Sequence, residues 1–591
     1  MDSPETSPSN RADAASQANR PVIRGTRHAC VAGHYLAAHA GFAMLEAGGN
    51  AVDAGVSAGI AEAVVQSEQV SFAGIAPIVI HMAETRQTMT IAGVGPWPQK
   101  ASCDWLERHH GGRIPRGVLR CVVPAAPAAW LLALRRFGTM SFGEVAAAAI
   151  RLARDGFALH PYNAEQILRN ADDYRTWPQN AAVYLPGGAP PKPGDVFVQK
   201  DLAATLQYLA DEERGASGPG REAGLQAAHD AFYRGDIATA IAAFHRDQGG
   251  WLTAEDLASF DVEVAPAARA EFRGFEVFTC GFWSQGPALI QMLNLLEGAD
   301  LASMGHNSDG YLHLLVEAVK LSFADRHHYY ADPRVVSVPA DGLLSKDYAR
   351  ARRGLIAGDR AWPGMPPPGD PRTNAAVAER FEPPRAEGDP GSTHLASSLD
   401  TTYCCAVDRW GNVFSASPSD TSSEAPLVPG TGFCPSARGT QAWADRKNVN
   451  SVAPGKRPRV TPNPVLLLKD GRPAFALGTP GGDVQPQAML QALLNMLDFG
   501  MDPQQAVEAP RFVSWSFPNS REPHAYHPGL LALESRIANA TGELLAARGH
   551  RLTWWPGRTG RAGAVCVIRF DPRGLFEAAA DFRRGGYALG W

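Results

Sequence analysis

The segment from Asp400 to Asn412 holds the residue best suited to chemistry in this chain of 591 residues. It is typical of a short β-strand that begins with a hydroxyl residue, Thr401, and ends in a tight turn. A threonine inside a chain is a poor nucleophile, but a cut at the Asp400–Thr401 bond would give Thr401 a free α-amine beside its own hydroxyl. That amine, with an unperturbed pKa of about 8, can act as the general base for the hydroxyl, directly or through a water. Strands also favour Thr and Tyr for structural reasons alone, so this segment by itself leaves a non-catalytic interpretation open.

Composition and charge restrict the class of protein. Hydrophobic residues make up 45% of the chain and charged residues 19%, which is ordinary for a globular protein. The net charge of −5, without a basic block, argues against binding to nucleic acid or to an anionic membrane. The chain has no apolar run long enough for a transmembrane helix, and its first 20 residues lack the apolar region of a secretory signal. The eight cysteines form no CxxC pair, so we expect buried free thiols and a reducing, cytoplasmic compartment.

The elements around Thr401 follow from periodicity and from breakers. Helical patterns dominate the first 350 residues. Residues 1–22 predict a disordered leader, and the Pro- and Gly-rich stretch over about 360–392 predicts a flexible linker just upstream of Thr401. Strand hairpins are then predicted at 401–417, 465–478 and 565–580, with helices at 486–499 and 533–548. Thr401 would thus start the first strand of a predominantly β region.

Seven short motifs occur in a fixed order and together resemble a known family. They lie at residues 46–54, 152–157, 317–326, 401–412, 454–458, 478–483 and 508–512, and include Glu317-Ala-Val-Lys-Leu-Ser-Phe-Ala-Asp-Arg326 and Gly478-Thr-Pro-Gly-Gly-Asp483. Each is weak alone, but in this order, over roughly residues 25 to 591, they resemble the γ-glutamyltransferase (γ-glutamyltranspeptidase) family of N-terminal nucleophile hydrolases. The resemblance implies an α+β fold, a four-layer αββα sandwich with a helix-rich N-terminal half.

The resemblance also implies a proenzyme that cuts itself between Asp400 and Thr401. One precursor would give a large subunit of residues 23–400 and a small subunit of 401–591, and two such heterodimers could form a dimer. Thr401 would be the nucleophile, and no cofactor or metal is expected. Ser419 falls where the family places a hydroxyl that hydrogen-bonds the nucleophile, although a solvated loop serine fits the sequence equally well. Gly481 and Gly482 would supply the oxyanion hole, since backbone N–H groups stabilise a developing oxyanion.

The chain departs from the family where the γ-glutamyl group is held. The family uses an arginine, an acidic residue, an asparagine and a serine pair. Here residues 92–97 contain no arginine, Thr421 stands at the asparagine position, and Val460 and Thr461 replace the serines. The family's Gln and Asp fall in Arg438-Gly-Thr-Gln441.

Arg438 and Asp483 are new charges near the expected pocket, and with Thr421 they are the candidate substrate-binding residues. Arg438 would either bind a carboxylate on another acyl group or form a structural salt bridge. We therefore predict an amidohydrolase for a small-molecule amide rather than for glutathione. The alternatives are a dicarboxylic-acyl (cephalosporin-type) acylase and an uncleaved family member that only binds a ligand.

Three further features have alternative interpretations. Gly391-Ser-Thr393 also resembles the family's cleavage sequence, but the turn at Asp408–Asn412 has the expected spacing from Thr401 and not from Thr393. His327 and His328 are adjacent on a predicted helix, where their side chains diverge by about 100°, so a surface role is favoured over metal binding. The loop from Arg438 to Lys456 is short for a lid, and an open site would favour hydrolysis over acyl transfer.

Overall fold

The computed structural model describes residues 18–218, 220–379, 400–571 and 573–591. In chain order, the α-helices within these ranges are α1 Tyr35–Glu46, α2 Ala51–Val65, α3 Cys103–His110, α4 Ala126–Phe137, α5 Phe142–Asp155, α6 Pro161–Arg169, α7 Ala171–Arg175, α8 Pro178–Tyr184, α9 Lys200–Ala216, α10 Arg221–Tyr233, α11 Asp236–Asp247, α12 Ala254–Ala258, α13 Gly286–Leu296, α14 Leu301–Met304, α15 Asp309–Tyr329, α16 Ala340–Leu343, α17 Lys346–Arg353, α18 Gln485–Leu497, α19 Pro503–Glu508 and α20 Asn539–Ala547.

The strands in the same ranges are β1 Ile23–Gly25, β2 Ala29–Ala32, β3 Ile78–Met82, β4 Gln87–Ile91, β5 Phe157–Ala158, β6 Val196–Phe197, β7 Val264–Pro266, β8 Ala268–Phe272, β9 Phe275–Thr279, β10 Cys404–Val407, β11 Val413–Ala416, β12 Val465–Lys469, β13 Arg472–Gly478, β14 Phe512–Ser514, β15 Leu530–Glu534, β16 Arg551–Trp555, β17 Cys566–Phe570, β18 Phe576–Ala580 and β19 Tyr587–Gly590.

Two seven-stranded antiparallel sheets form the centre of the molecule. One has the strand order β1-β18-β17-β13-β12-β9-β8, and the other β19-β2-β10-β11-β3-β4-β7. Strand β10, which follows Thr401, lies inside its sheet between β2 and β11. Because successive side chains of a strand point to opposite faces, Cys405 and Val407 lie in the core between the sheets while Cys404 lies in the core beneath the helices. The predicted opposite placement of the two adjacent cysteines is therefore confirmed.

Helices cover the outer face of each sheet. On the β10 side, α2 lies against β10 and β11, and Gly55 permits this approach because a Cβ there would lie 1.9 Å from Phe414. Asn50 starts α2 with a reciprocal capping box to Asp53, directly after the Gly48-Gly49 stop of α1. On the other side, α13, α15 and α18 share one core with β12 and β13. The predicted α+β, four-layer αββα sandwich is confirmed.

The predicted leader (residues 1–22) and the predicted linker (about 360–392) are described only in part. Residues 1–17 and 380–399 lie outside the described residues, so most of the leader and the second part of the linker do too. Within the rest, Asn19 donates to Glu508 and the backbone N–H of Gly369 donates to Asp325 at 3.1 Å. Trp362 and Gly369 hydrogen-bond side chains of α15, and Asp370 and Ala375 pair with each other. The described part of this segment thus has partners for several of its backbone groups.

The helix predicted over 533–548 is wrong in its first part. Residues Leu530–Glu534 form strand β15, hydrogen-bonded between β14 and β16, and the helix begins only at Asn539. A short apolar run has no periodicity that separates a buried strand from a buried helix.

The predictions about the cysteines and about membrane-spanning helices can be compared with the structure. All eight cysteines are buried and free, as expected. Across the described ranges, no helix is both long and apolar enough to cross a bilayer.

Candidate active site

Thr401 lies just before the start of β10 and has a strained backbone conformation. Its backbone N–H donates to Gln69 O at 3.2 Å, and the residue is 1% exposed. Its φ is +80°, in the left-handed region that a β-branched residue rarely adopts. Such a conformation costs on the order of 1–3 kcal/mol and persists only where the surroundings enforce it. The strain lies at the Asp400–Thr401 junction, which is intact in this structure.

The Thr401 hydroxyl has a close hydroxyl partner. Thr401 Oγ1 lies 2.6 Å from Ser419 Oγ, and either atom can donate. Ser419 follows β11, the strand paired with β10, and its backbone N–H donates to Ile75 O at 3.0 Å. Ser419 Oγ also accepts a hydrogen bond from Arg438 Nη2. The hairpin thus brings Thr401 and Ser419 together, and the arginine orients the serine.

The side chain of Asp400 occupies a site between two arginines. Its Oδ2 lies 2.5 Å from Arg438 Nη2 and 2.7 Å from Arg521 Nη1. Arg438 Nε also lies 3.2 Å from Asp420 Oδ1. Asp400 and Arg438 are fully buried, and Arg521 is 11% exposed. Arg438 therefore forms buried salt bridges in the intact chain, and one of them is to the residue just before Thr401.

Two further ion pairs extend this network. Arg521 also pairs with Glu424, and Arg120 Nη1 lies 2.5 Å from the second oxygen of Glu424. Burial raises the pKa of Glu424, but Arg521 and Arg120 outweigh burial and lower that pKa to about 2. Burial raises the pKa of Asp420 to about 6, against the attraction of Arg438. The network therefore contains three arginines and three acidic side chains.

Gly481 and Gly482 lie at the turn between β13 and α18. Their φ angles are +126° and +59°, in the region that favours glycine. Gln285 Nε2 donates to Gly482 O at 2.8 Å and fixes the turn. Within the described residues, the backbone N–H groups of Gly481 and Gly482 have no hydrogen-bond acceptor. Free donors beside a nucleophile are what an oxyanion hole requires.

A small cavity adjoins Thr401. Its volume is about 10 Å³, and Thr401, Gln69, Pro480 and Arg584 are among the residues that line it. That volume is close to what one water molecule needs. Pro480 directly precedes Gly481, so the cavity connects the threonine with the start of the glycine turn.

Thr402, the residue after Thr401, contacts the buried carboxyl group of Glu62. Glu62 Oε1 accepts from Thr402 Oγ1 at 3.1 Å and from the backbone N–H of Gly33 at 2.8 Å. Burial raises the pKa of Glu62 to about 8, so this group is mostly protonated at pH 7.

Two of the predicted substrate-binding residues have hydrogen-bond partners within the protein. Asp483 Oδ1 lies 2.5 Å from Arg326 Nη1, and both Asp483 oxygens also accept from Ser520. Burial raises the pKa of Asp483, but Arg326 and Arg459 outweigh it and the pKa is lowered. Thr421 Oγ1 donates to Glu68 O at 2.9 Å. The carboxylate of Asp483 and the hydroxyl proton of Thr421 are thus both engaged inside the protein.

The positions that would hold a glutamyl group also pair with each other. Gln441 Nε2 donates to Thr461 Oγ1 at 2.9 Å, and the Thr461 backbone N–H donates back to Gln441 Oε1 at 3.0 Å. Neither side chain carries a charge that could hold the α-carboxylate or the α-ammonium of a glutamyl group.

Histidines occur in two other places. His313, Glu317 and His550 could offer metal ligands, but His313 bonds His550 at 2.9 Å and Lys320 Nζ lies 2.7 Å from Glu317. We interpret this group as a hydrogen-bonded core network, because the buried ammonium already pairs the carboxylate. His327 is half-buried with its ring edge against Trp443, and His328 is exposed.

Sequence reasoning missed Arg521, Glu424, Asp420 and Arg120 as neighbours of Asp400. No signal in the sequence could have paired Asp400 with Arg521, which is 121 positions away. Asp420 gave a weak signal, since it directly follows Ser419.

The fold and the site together define the class. A hydroxyl residue lies just before an inner strand of an αββα sandwich, with a second hydroxyl and a glycine turn nearby. This is the arrangement of an N-terminal nucleophile hydrolase.

Comparison with known proteins identifies the family. The model of the gamma-glutamyltranspeptidase family matches residues 37–591. The chain is 35% identical over 576 residues to the acylase ACY 1 proenzyme of Pseudomonas sp. (strain SE83), covering 95% of this chain and 93% of that one. It is 30% identical to the glutathione hydrolase-like YwrD proenzyme of Bacillus subtilis (strain 168), covering 97% and 100%.

Solved structures agree with this assignment. The crystal structure of cephalosporin acylase from Bacillus halodurans superposes with a TM-score of 0.83 at 26% identity, over 100% of this chain and 99% of that chain. The chain therefore belongs to the gamma-glutamyltranspeptidase family and is an N-terminal nucleophile hydrolase. The predicted family and class of enzyme are confirmed.

Proposed function

We propose that this protein cuts its own Asp400–Thr401 bond and then hydrolyses a small amide through an acyl ester on Thr401. The observation that carries the proposal is the 2.6 Å contact between Thr401 Oγ1 and Ser419 Oγ at the strained, buried junction. Relatives with proenzyme names, ACY 1 and YwrD, support cleavage into a large and a small subunit.

Self-cleavage would proceed in two steps. Thr401 Oγ1 attacks the carbonyl carbon of Asp400, its proton passes to the departing amide nitrogen, and the peptide bond becomes an ester with a free Thr401 amine. Water then adds to the ester carbonyl, which releases the Asp400 carboxyl group and the Thr401 hydroxyl. The left-handed conformation of Thr401 favours the first step, because breaking the peptide bond releases its strain. The cavity beside Thr401 has room for one water.

Turnover of an external amide would repeat the same chemistry. The freed α-amine accepts the hydroxyl proton as Thr401 attacks the amide carbonyl. Gly481 and Gly482 would stabilise the oxyanion through their unpaired N–H groups. The amine product leaves with the proton, and water hydrolyses the acyl ester. Ser419 would hold the hydroxyl in place throughout, itself oriented by Arg438.

The acyl group is proposed to differ from γ-glutamyl. Residues 92–97 contain no arginine, and Thr461 and Gln441, which are uncharged, pair with each other. Loss of a charge-assisted arginine–carboxylate contact in a partly buried site costs about 2–4 kcal/mol. A dicarboxylic-acyl, cephalosporin-type acylase is the second candidate, and the acylase names of two relatives favour it.

We also propose that water, rather than an amine, accepts the acyl group. The loop from Arg438 to Lys456 packs down onto the body, where Trp443 stacks on His524 at 3.7 Å between ring centroids. A loop held in this way does not cover the site as a lid. Transfer to an added amine that outpaced hydrolysis of the same acyl donor would contradict this proposal.

Two measurements test the proposed function. The purified protein should give two bands on a denaturing gel, at about 43 and about 20 kDa, from 63.1 kDa divided in proportion to 400 and 191 residues. Thr401→Ala should give one band. Intact mass spectrometry after incubation with a panel of amides should then find the acyl group on the small subunit.

The outcomes separate the alternatives. A single band for the unaltered protein would refute the enzyme and favour a ligand-binding family member. N-terminal sequencing of the small subunit should begin at Thr401, and a start at Thr393 would move the nucleophile to that residue. Thr402→Ala is a matched control, because it removes the neighbouring hydroxyl, which bonds Glu62 and not Ser419. Thr402→Ala should still give two bands.

A further inference from the structure

Asp400 occupies a ready-made carboxylate site beside the nucleophile. Its Oδ2 is held by Arg438 and Arg521 at 2.5 and 2.7 Å, and its Oδ1 lies 3.4 Å from Thr401 Oγ1. Two arginines from distant parts of the chain thus converge on one buried carboxylate. Arginine is the residue best suited to such recognition, because its planar group is always charged and donates in a fixed fork.

The charge of this site is balanced only while Asp400 is present. Arg120, Arg438 and Arg521 form ion pairs with Asp400, Asp420 and Glu424. Once cleavage frees the chain end at Asp400 and it leaves, three arginines face two carboxylates. Arg438 then keeps only Asp420 and Arg521 keeps only Glu424. Because an uncompensated buried charge is strongly unfavourable, the emptied site favours a new anion.

The ester formed during self-cleavage indicates the length of the anionic acyl group that would fit this site. The ester formed during cleavage is an acyl-enzyme whose acyl group is Asp400 itself. In that acyl group, two carbons separate the reacting carbonyl from the side-chain carboxylate. An external acyl group on Thr401 Oγ1 starts from the same atom, and its own carboxylate can reach the same arginines over a similar length.

We propose that Arg438 and Arg521 form the carboxylate subsite of the mature enzyme, and that its acyl donors are ω-carboxyacyl amides of the succinyl or glutaryl class. Asp400 is then an internal stand-in for the substrate until cleavage removes it. This inference rests on the proposed function, because Asp400 leaves only if the chain is cut. The Arg438 guanidinium also donates to Ser419, whereas the Arg521 guanidinium donates only to Asp400 and Glu424 among the described residues. Arg521 is therefore the specificity-determining residue of the pair.

The test compares acyl groups of equal shape with and without the carboxylate. Cleaved protein is assayed with succinyl and 4-methylpentanoyl 4-nitroanilides, in which an isopropyl group replaces the carboxylate, and with glutaryl and 5-methylhexanoyl 4-nitroanilides. We expect kcat/KM for the better carboxylated donor to exceed that of its neutral isostere by about 100-fold or more, as for other buried arginine–carboxylate contacts. Arg521→Met should reduce this ratio to below about 10-fold, and Arg521→Lys should restore part of it. Arg246→Met removes an exposed arginine on α11 and should leave the ratio unchanged.

Each outcome decides one of the two proposals. Two bands on the gel with equal turnover of carboxylated and neutral donors would overturn the subsite and leave the proposed function standing. A single band would overturn the proposed function, and the subsite with it. If the cleaved protein turns over none of these anilides, or if Arg521→Met does not fold, calorimetry with the unaltered cleaved protein decides. Binding of succinamate or glutaramate at least about 10-fold tighter than binding of the uncharged 4-methylpentanamide or 5-methylhexanamide supports the subsite, and equal or absent binding overturns it.

Discussion

Ser419→Ala tests the contact on which the proposed chemistry depends. The change removes the hydroxyl that lies 2.6 Å from Thr401 Oγ1 and that accepts from Arg438. A hydrogen bond that supports a developing charge contributes about 1.5–3 kcal/mol. Since each 1.36 kcal/mol is a factor of ten in rate, self-cleavage should slow by about 10- to 150-fold. Arg438 keeps Asp400 and Asp420 as partners, so the fold should survive the change.

The assay is the rate at which newly purified precursor converts to two bands on a denaturing gel. Ser419→Thr keeps a hydroxyl and should recover most of the rate. Ser417→Ala is the matched control, because this neighbouring buried hydroxyl has no hydrogen-bond partner in the described part of the chain. Cleavage of Ser419→Ala within about twofold of the unaltered rate would refute the reasoning, as would equal slowing by Ser417→Ala.

Three other changes have defined outcomes. Burial raises the folded pKa of Glu62 to about 8, against about 4.5 when exposed, so its stabilising proton is lost as pH rises through 8. The free energy of unfolding should therefore fall by about 4 kcal/mol between pH 5 and 9 in the unaltered protein and not in Glu62→Gln, which urea unfolding at several pH values would detect or exclude. Asp483→Asn removes a buried partner of Arg326 and should cost about 3–5 kcal/mol of unfolding free energy; a raised KM at unchanged stability would instead restore its substrate-binding role. Gly481→Ala puts a side chain at φ +126°, which should cost about 1–2 kcal/mol of stability and, by displacing a proposed oxyanion donor, lower kcat by about 10²–10³-fold. An unchanged kcat would place the oxyanion hole elsewhere.

The segment around Thr401 could be predicted from the sequence because the patterns that indicate it involve neighbouring residues. A strand preference that begins at a hydroxyl, a turn at Asp408–Asn412 and the motif at 478–483 each depend on neighbouring residues. The hairpin of β10 and β11 then fixes Ser419 near Thr401, since antiparallel pairing relates residues at a definite separation. Where the local signal is ambiguous, as at Leu533 and Glu534, the predicted helix began inside a strand.

The sequence by itself determined the family, the layered fold and the position of the candidate nucleophile. Only the tertiary structure decided the partners of the charges. Arg438 was a candidate for either a ligand or a salt bridge, and the structure shows it in a network with Asp400 and Arg521. Asp483, a candidate substrate-binding residue, is paired with Arg326. Pairing of buried charges depends on which side chains the folded core brings within a few ångströms, and no local pattern of residues encodes that distance.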